Sequence, residues 1–241
     1  MKKTFWTVTL LSFFLLLVVS SVQAFGGPAP KPSAPVSGLK GNSFLIDNFE
    51  SGSLKTPRDW WVFDLRKAEA ISNFGLDQGE KKVVSEIGRY SLHLAGEATN
   101  WYAGGCGTYF AKENQDLSAF NYLQFDAYGF GEGSGNLKIE LLDDDNNNWQ
   151  VEQDAARGYA PTNDDKFVYS LTIDWTGWKR ISIPLSDFVD DNPGVGDNIW
   201  NPTQANGSGG LLQLQFICVT PKEKGKIDFY LDNVYLTNTE L

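Results

Sequence analysis

Leu211-Leu212-Gln213-Leu214-Gln215-Phe216-Ile217-Cys218-Val219 alternates along its length with a period of two. A strand turns successive side chains to opposite faces, so Leu212, Leu214, Phe216 and Cys218 share one face. Gln213, Gln215 and Ile217 share the other. Two glutamines on one face of an apolar strand predict that this face meets water or a ligand, while the other packs a core.

The same reading works outward along the chain. In Gly105 to Ala111, Cys106, Thr108 and Phe110 share a face, and Gly105, Gly107 and Tyr109 lie opposite. In Leu137 to Leu142, Leu137, Ile139 and Leu141 point one way, Lys138 and Glu140 the other. Further period-two runs are Phe44 to Phe49, Ser91 to Ala95, Tyr122 to Tyr128, Phe167 to Ile173, Lys179 to Leu185 and Ile227 to Leu236, separated by Gly, Asn, Asp and Pro. Many short strands, each with one apolar face, predict an all-β sandwich or jelly roll. Cys106 and Cys218 both face inward. A disulfide between them is open if their strands are neighbours, and the alternative is two buried free thiols.

The chain opens with Lys2 and Lys3, an apolar run from Phe5 to Val19, and Val22-Gln23-Ala24. That pattern predicts a cleaved export signal over residues 1–24, too short in its apolar part to span a bilayer. It places the mature protein outside the cell or in the periplasm, without membrane insertion. Residues 25–43, rich in Pro and Gly, read as a spacer. Residues 44–241 suit one domain. The net charge of −10 argues against nucleic acid as a partner. Aromatic residues make up 14% of the chain, a surplus that suits an acidic sugar-binding β-protein.

The order of short motifs carries a resemblance. Leu45-Ile46-Asp47-Asn48-Phe49-Glu50 opens the domain, and Gly88-Arg89-Tyr90-Ser91-Leu92 follows a Trp-rich segment. Asp116-Leu117-Ser118 comes before a strand ending Phe125-Asp126. Trp178-Lys179-Arg180-Ile181 runs on to Asp187-Phe188, and Gly225 to Val234 closes the chain with Asp232-Asn233-Val234. This order resembles the galactose-binding-like jelly rolls, most of all carbohydrate-binding module family 11 and the CIA30-like domains.

The resemblance implies non-catalytic binding of a polysaccharide or oligosaccharide, with a β-glucan as the first candidate. It also implies a structural calcium, with Glu50 and Asp232 as side-chain ligands and Gly88 or Arg89 offering carbonyls. Calcium takes six to eight oxygens, which suits such a clasp. In family 11 the ligand lies across the concave sheet. The positions so implicated are Tyr109, Gln213 and Gln215 on the strands, with Trp101, Tyr102, Trp149, Asp191 and Trp200 nearby in sequence. Trp60, Trp61, Trp175 and Trp178 are expected to cap the core or a turn. The chain departs from family 11 where the family places a cleft aromatic, since Gly105 stands there, and Gln215 stands in place of a cleft histidine. The acidic run Asp143 to Asn148 lacks the EF-hand pattern and reads as a solvated turn.

An enzyme is disfavoured, because a Ser-His or Cys-His device would have to use His93, mid-strand with no nucleophile motif beside it. The competing reading is a protein-interaction or assembly role in the cell envelope, or service as a partner of an enzyme complex. The same fold serves both functions.

Overall fold

Antiparallel pairing organises the chain into two sheets. The computed structural model describes residues 39–40, 43–110 and 116–239. The leader and all but the end of the spacer lie outside them. In chain order the strands are β1 (Leu39–Lys40), β2 (Ser43–Asp47), β3 (Trp60–Phe63), β4 (Lys67–Ser72), β5 (Tyr90–Ala98), β6 (Tyr102–Tyr109), β7 (Tyr122–Phe130), β8 (Gly135–Asp144), β9 (Gln153–Asp154), β10 (Ala160–Pro161), β11 (Asp165–Ile173), β12 (Thr176–Pro184), β13 (Val189–Asp190), β14 (Gly210–Val219) and β15 (Gly225–Thr237). One short helix, α1 (Lys81–Glu86), lies between β4 and β5.

Strand β15 is the spine of a seven-stranded sheet. Its first half pairs with β5 and its end with β2, while β7 runs along its other edge. Strands β4, β1 and β12 extend that sheet from β5, β2 and β7. The second sheet has six strands in the order β13-β11-β8-β14-β6-β3. Leu39 and Lys40, read as spacer, pair with Phe44 and Ser43 and so join the first sheet.

The core lies between the sheets and follows the predicted alternation. Leu214, Phe216 and Cys218 of β14, Ile139 and Leu141 of β8, and Phe125 and Phe229 of the facing sheet are all buried in one cluster. Trp60 stacks on Phe216 at 5.8 Å within it. Leu212 is buried, as expected, and Leu211 is buried beside it and joins the core cluster, because the ladder slips between Leu211 and Gln213. A bulge puts two residues opposite one and resets which side chain points inward.

Cys106 and Cys218 are free, fully buried thiols. Cys106 faces Phe216 and Cys218 faces Gly104, so the cysteines sit diagonally on neighbouring strands. Diagonal neighbours stand about 7–8 Å apart, beyond the usual Cα separation of a disulfide. Burial pushes the Cys106 thiol up to about 12.

The outer face of the seven-stranded sheet is partly covered. Val83 of α1 packs with Tyr128 and Trp178, and the Trp178 indole N–H donates to the Leu76 carbonyl at 2.8 Å. His93 lies on the same sheet, stacked on Tyr230 at 4.3 Å and hydrogen-bonded to Asp228. Among the described residues no helix is long and apolar enough to cross a membrane.

Candidate functional site

The register of the six-stranded sheet lays its outward side chains in rows. One row runs Trp61, Gly107, Gln215, Glu140 and Val168 across β3, β6, β14, β8 and β11. The next runs Phe63, Gly105, Ile217, Lys138 and Ser170, and Tyr109, Gln213, Leu142 and Lys166 form a third. Polar and aromatic groups therefore converge on this outer face, as the alternation in β14 predicts.

Glycines in β6 make room for rings carried by β3. A Cβ on Gly107 would stand 2.9 Å from Cε2 of Trp61, and one on Gly105 would stand 2.6 Å from Cζ of Phe63. Those rings thus lie over bare backbone. Trp61 also meets Tyr109 with ring centroids 4.6 Å apart. The expectation that Trp61 caps the core is corrected. Trp60 is the buried member of the pair, and Trp61, one residue on, turns outward. The Phe63 ring occupies the space above Gly105.

Beside the rings stands a polar strip. The Gln215 side-chain amide donates to Gln213 Oε1 at 2.8 Å. Farther along the rows, Lys138 contacts Glu140 and Asp191, each at 3.0 Å, and Lys166 contacts Asp191 at 2.8 Å. Burial works to raise the Asp191 pKa, but Lys166 and Lys138 outweigh it and hold that carboxyl below its ordinary value. Tyr102 donates to Asp64 at 2.9 Å next to the Phe63 row.

The other positions named from the sequence lie elsewhere. Trp101 is 52% exposed at the β5–β6 connection, where its carbonyl accepts from Thr220. Trp149 follows the acidic run, and its indole N–H donates to Asn147. Trp200 packs edge-on against the inward-facing Phe167 at 5.5 Å, on the flank of the sandwich. It does not line the same face as Tyr109 and Gln215. None of Trp61, Phe63, Lys138, Glu140 and Lys166 was named from the sequence as a binding position: Trp61 was expected to cap the core or a turn, and Lys138 and Glu140 were read only as facing away from the core.

The clasp residues meet near the start of β5. Glu50 Oε1 accepts from the backbone N–H groups of Arg89 and Tyr90 at 2.7 and 2.9 Å. The carboxylate lies on the Gly88 turn, where a Cβ would stand 2.8 Å from Glu50 Oε2. Asp232 is buried and accepts from Ser91 Oγ at 2.8 Å and from the Asn233 N–H at 2.7 Å. Burial, with the charges of Asp126 and Glu50, pushes Asp232 up to about 8.

A second acidic cluster gathers Asp143, Asp145 and Asp165, with one oxygen of each within 4.8 Å of the others. These residues can hold a metal ion. The expected solvated turn is corrected at its beginning, because Asp143 and Asp144 have almost no exposed surface. Residues distant in sequence enclose them. Burial pushes Asp143 up to about 8, Asp165 to about 7 and Asp145 to about 6.

A family model for carbohydrate binding domain 30 matches residues 55–238. No curated protein matches the chain. Among solved structures, it is similar to the family 11 carbohydrate-binding module of a cellulosomal cellulase of Clostridium thermocellum, at 18% identity over 82% of this chain and 95% of that one, with a TM-score of 0.46. A family 11 module from Clostridium thermocellum, in complex with a β-1,3-1,4-mixed-linked tetrasaccharide, matches at 19% identity, 82% and 96% coverage, and a TM-score of 0.48. A family 30 carbohydrate-binding module matches at 16% identity, 74% and 79% coverage, and a TM-score of 0.43. The family match, which spans β3 through β15, confirms the resemblance to carbohydrate-binding modules read from the motifs. The chain belongs to the carbohydrate binding domain 30 family.

Proposed function

We propose that this module binds a polysaccharide, without catalysis, on the outer face of its six-stranded sheet. The observation that carries the reading is the placement of Trp61 and Phe63 over Gly107 and Gly105, beside Tyr109 and the Gln213–Gln215 pair. A pyranose ring presents apolar C–H groups on its faces and hydroxyls at its rim. Aromatic rings match the first, and side-chain amides pair the second when water is displaced. A β-glucan suits a row of rings best, because β-linked glucose carries its substituents at the rim and leaves both faces flat and apolar. The carboxylates on the face support binding over hydrolysis. Asp191 and Glu140 both contact lysines, whereas glycoside hydrolysis keeps one carboxyl protonated.

Export is part of this reading and rests on the leader pattern of residues 1–24. So is a structural calcium at the clasp, held by Glu50, Asp232 and carbonyls of the Gly88–Arg89 turn. Asp232 supports it, since it is a buried carboxylate in the field of Glu50 with no lysine or arginine among its ion pairs in the described residues, and a hard cation accepts oxygen ligands. The ion would tie the domain's opening segment to its closing strand. Affinity electrophoresis in gels containing mixed-linked β-glucan, xyloglucan, xylan or agarose tests the reading. Retardation by at least one polymer is expected. Free migration of the folded protein through all of them would transfer weight to an assembly role.

A further inference from the structure

We propose that Asp143, Asp145 and Asp165 hold a calcium ion at the end of the β8–β11 pair, and that this ion fastens residues 196–201 to the six-stranded sheet. The inference does not rest on the sugar-binding reading or on calcium at the clasp.

The alternation that sends Leu141 and Phe167 into the core also turns Asp143 and Asp165 inward, where the sheet ends. These two are direct partners in the β8–β11 register. Like charges placed opposite each other on paired strands repel, and burial strengthens the repulsion. Both side chains are 0% exposed. No lysine or arginine contacts either one among the ion pairs of the described residues.

The hydrogen bonding is lopsided in a consistent way. Oδ2 of Asp143 accepts from the Asn201 N–H at 3.0 Å, Oδ2 of Asp145 from the Asp165 N–H at 2.9 Å, and Oδ2 of Asp165 from the Ile199 N–H at 3.1 Å. Oδ1 of all three is buried without a partner, and so is Oδ1 of Asn201. Buried polar atoms are nearly always paired, so four unpaired oxygens in one neighbourhood point to a missing positive partner. The backbone closes over the group at Gly196, in the left-handed region at φ 67°, where a Cβ would stand 2.7 Å from Asp165 Cγ.

The donor set selects the ion. It is all oxygen. The chain's only histidine is His93 in the other sheet, and both cysteines are in the core, so zinc has no preferred ligand here. Three carboxylates beside an irregular loop suit calcium, which accepts six to eight oxygens in flexible geometry. Magnesium demands a near-ideal octahedron and retains water.

The test is calcium stoichiometry by isothermal titration, together with amide hydrogen exchange, on the purified wild-type chain. Asp145→Asn is expected to bind one calcium fewer than wild type, while Glu50→Gln at the clasp leaves this site filled. In wild type, calcium should slow exchange at the Ile199 and Asn201 amides about tenfold, a local readout that needs no variant to fold. Magnesium at the same concentration should slow it far less. Equal calcium stoichiometry in wild type and a folded Asp145→Asn would overturn the proposal. So would exchange at those two amides that calcium leaves unchanged.

Discussion

The indole of Trp61 lies over Gly107, one strand away, in the space a side chain on β6 would otherwise fill. An aromatic ring is thereby held on the outer face by the absence of a Cβ beneath it. Gly107→Val should therefore displace Trp61 and abolish retardation in a polysaccharide gel. The stability cost should be about 1–3 kcal/mol, the range for overpacking a filled site. Urea unfolding beside affinity electrophoresis checks both halves, and unchanged binding would detach the ring from the site.

Trp61→Ala removes the ring itself. Losing roughly 60 Å² of apolar contact with a sugar face costs about 1.5 kcal/mol, or roughly tenfold in affinity. Titration with an oligosaccharide reads this directly, and the melting temperature should change little because Trp61 is not in the core cluster.

Trp200 should behave in the opposite way. Its ring packs on Phe167 and against the core, so Trp200→Ala should lower stability by about 1–3 kcal/mol and leave sugar affinity within twofold. A large loss of affinity with unchanged stability would extend the binding face around the flank of the sandwich.

Arg180 neutralises a fully buried acid. Its Nε and Nη2 reach Asp126 at 2.8 and 3.0 Å, and Asn233 donates to the same carboxylate at 2.9 Å. Arg180→Leu leaves Asp126 buried without a cation and should cost about 3–5 kcal/mol. Chemical denaturation measures it. A cost under about 1 kcal/mol would show that Asn233 alone satisfies Asp126.

Stability without metal should fall as pH rises. Asp143, Asp165 and Asp145 are raised, chiefly by burial, to about 8, 7 and 6. The unfolded chain releases these protons near the ordinary carboxylate value, while the folded chain holds them until higher pH. Between about pH 4 and 8 the unfolded state binds fewer protons, so each unit of rising pH favours unfolding. In chelator the melting temperature should drop from pH 5 to pH 8, and calcium should flatten the slope. A melting temperature that climbs over that interval in chelator contradicts the assignment.

The sandwich was readable because its strands alternate and turn residues separate them, as Leu211 to Val219 shows. The exceptions have local causes. In Trp60-Trp61-Val62-Phe63 every side chain is apolar, so alternation is hidden, and only pairing with Gly105 and Gly107 reveals which rings face outward. The inward Leu211 was missed because a bulge is a two-strand event with no signal in one strand. Asp143 looked solvated because acids rarely enter an interior alone. Its enclosure comes from Asp165 and Asn201, far along the chain. Glu50 accepts from the Arg89 N–H, so two segments that the motif order linked do meet, and that contact came from the resemblance and not from any pattern within either segment.

The most direct test of the central claim is chemical-shift mapping of the labelled protein during titration with a β-glucan oligosaccharide. The account predicts that shifts concentrate on the Trp61 indole, the Gln213 and Gln215 side-chain amides, and the backbone from Gly105 to Tyr109. Shifts gathered instead around Phe130 and Tyr230, on the outer face of the seven-stranded sheet, would contradict it.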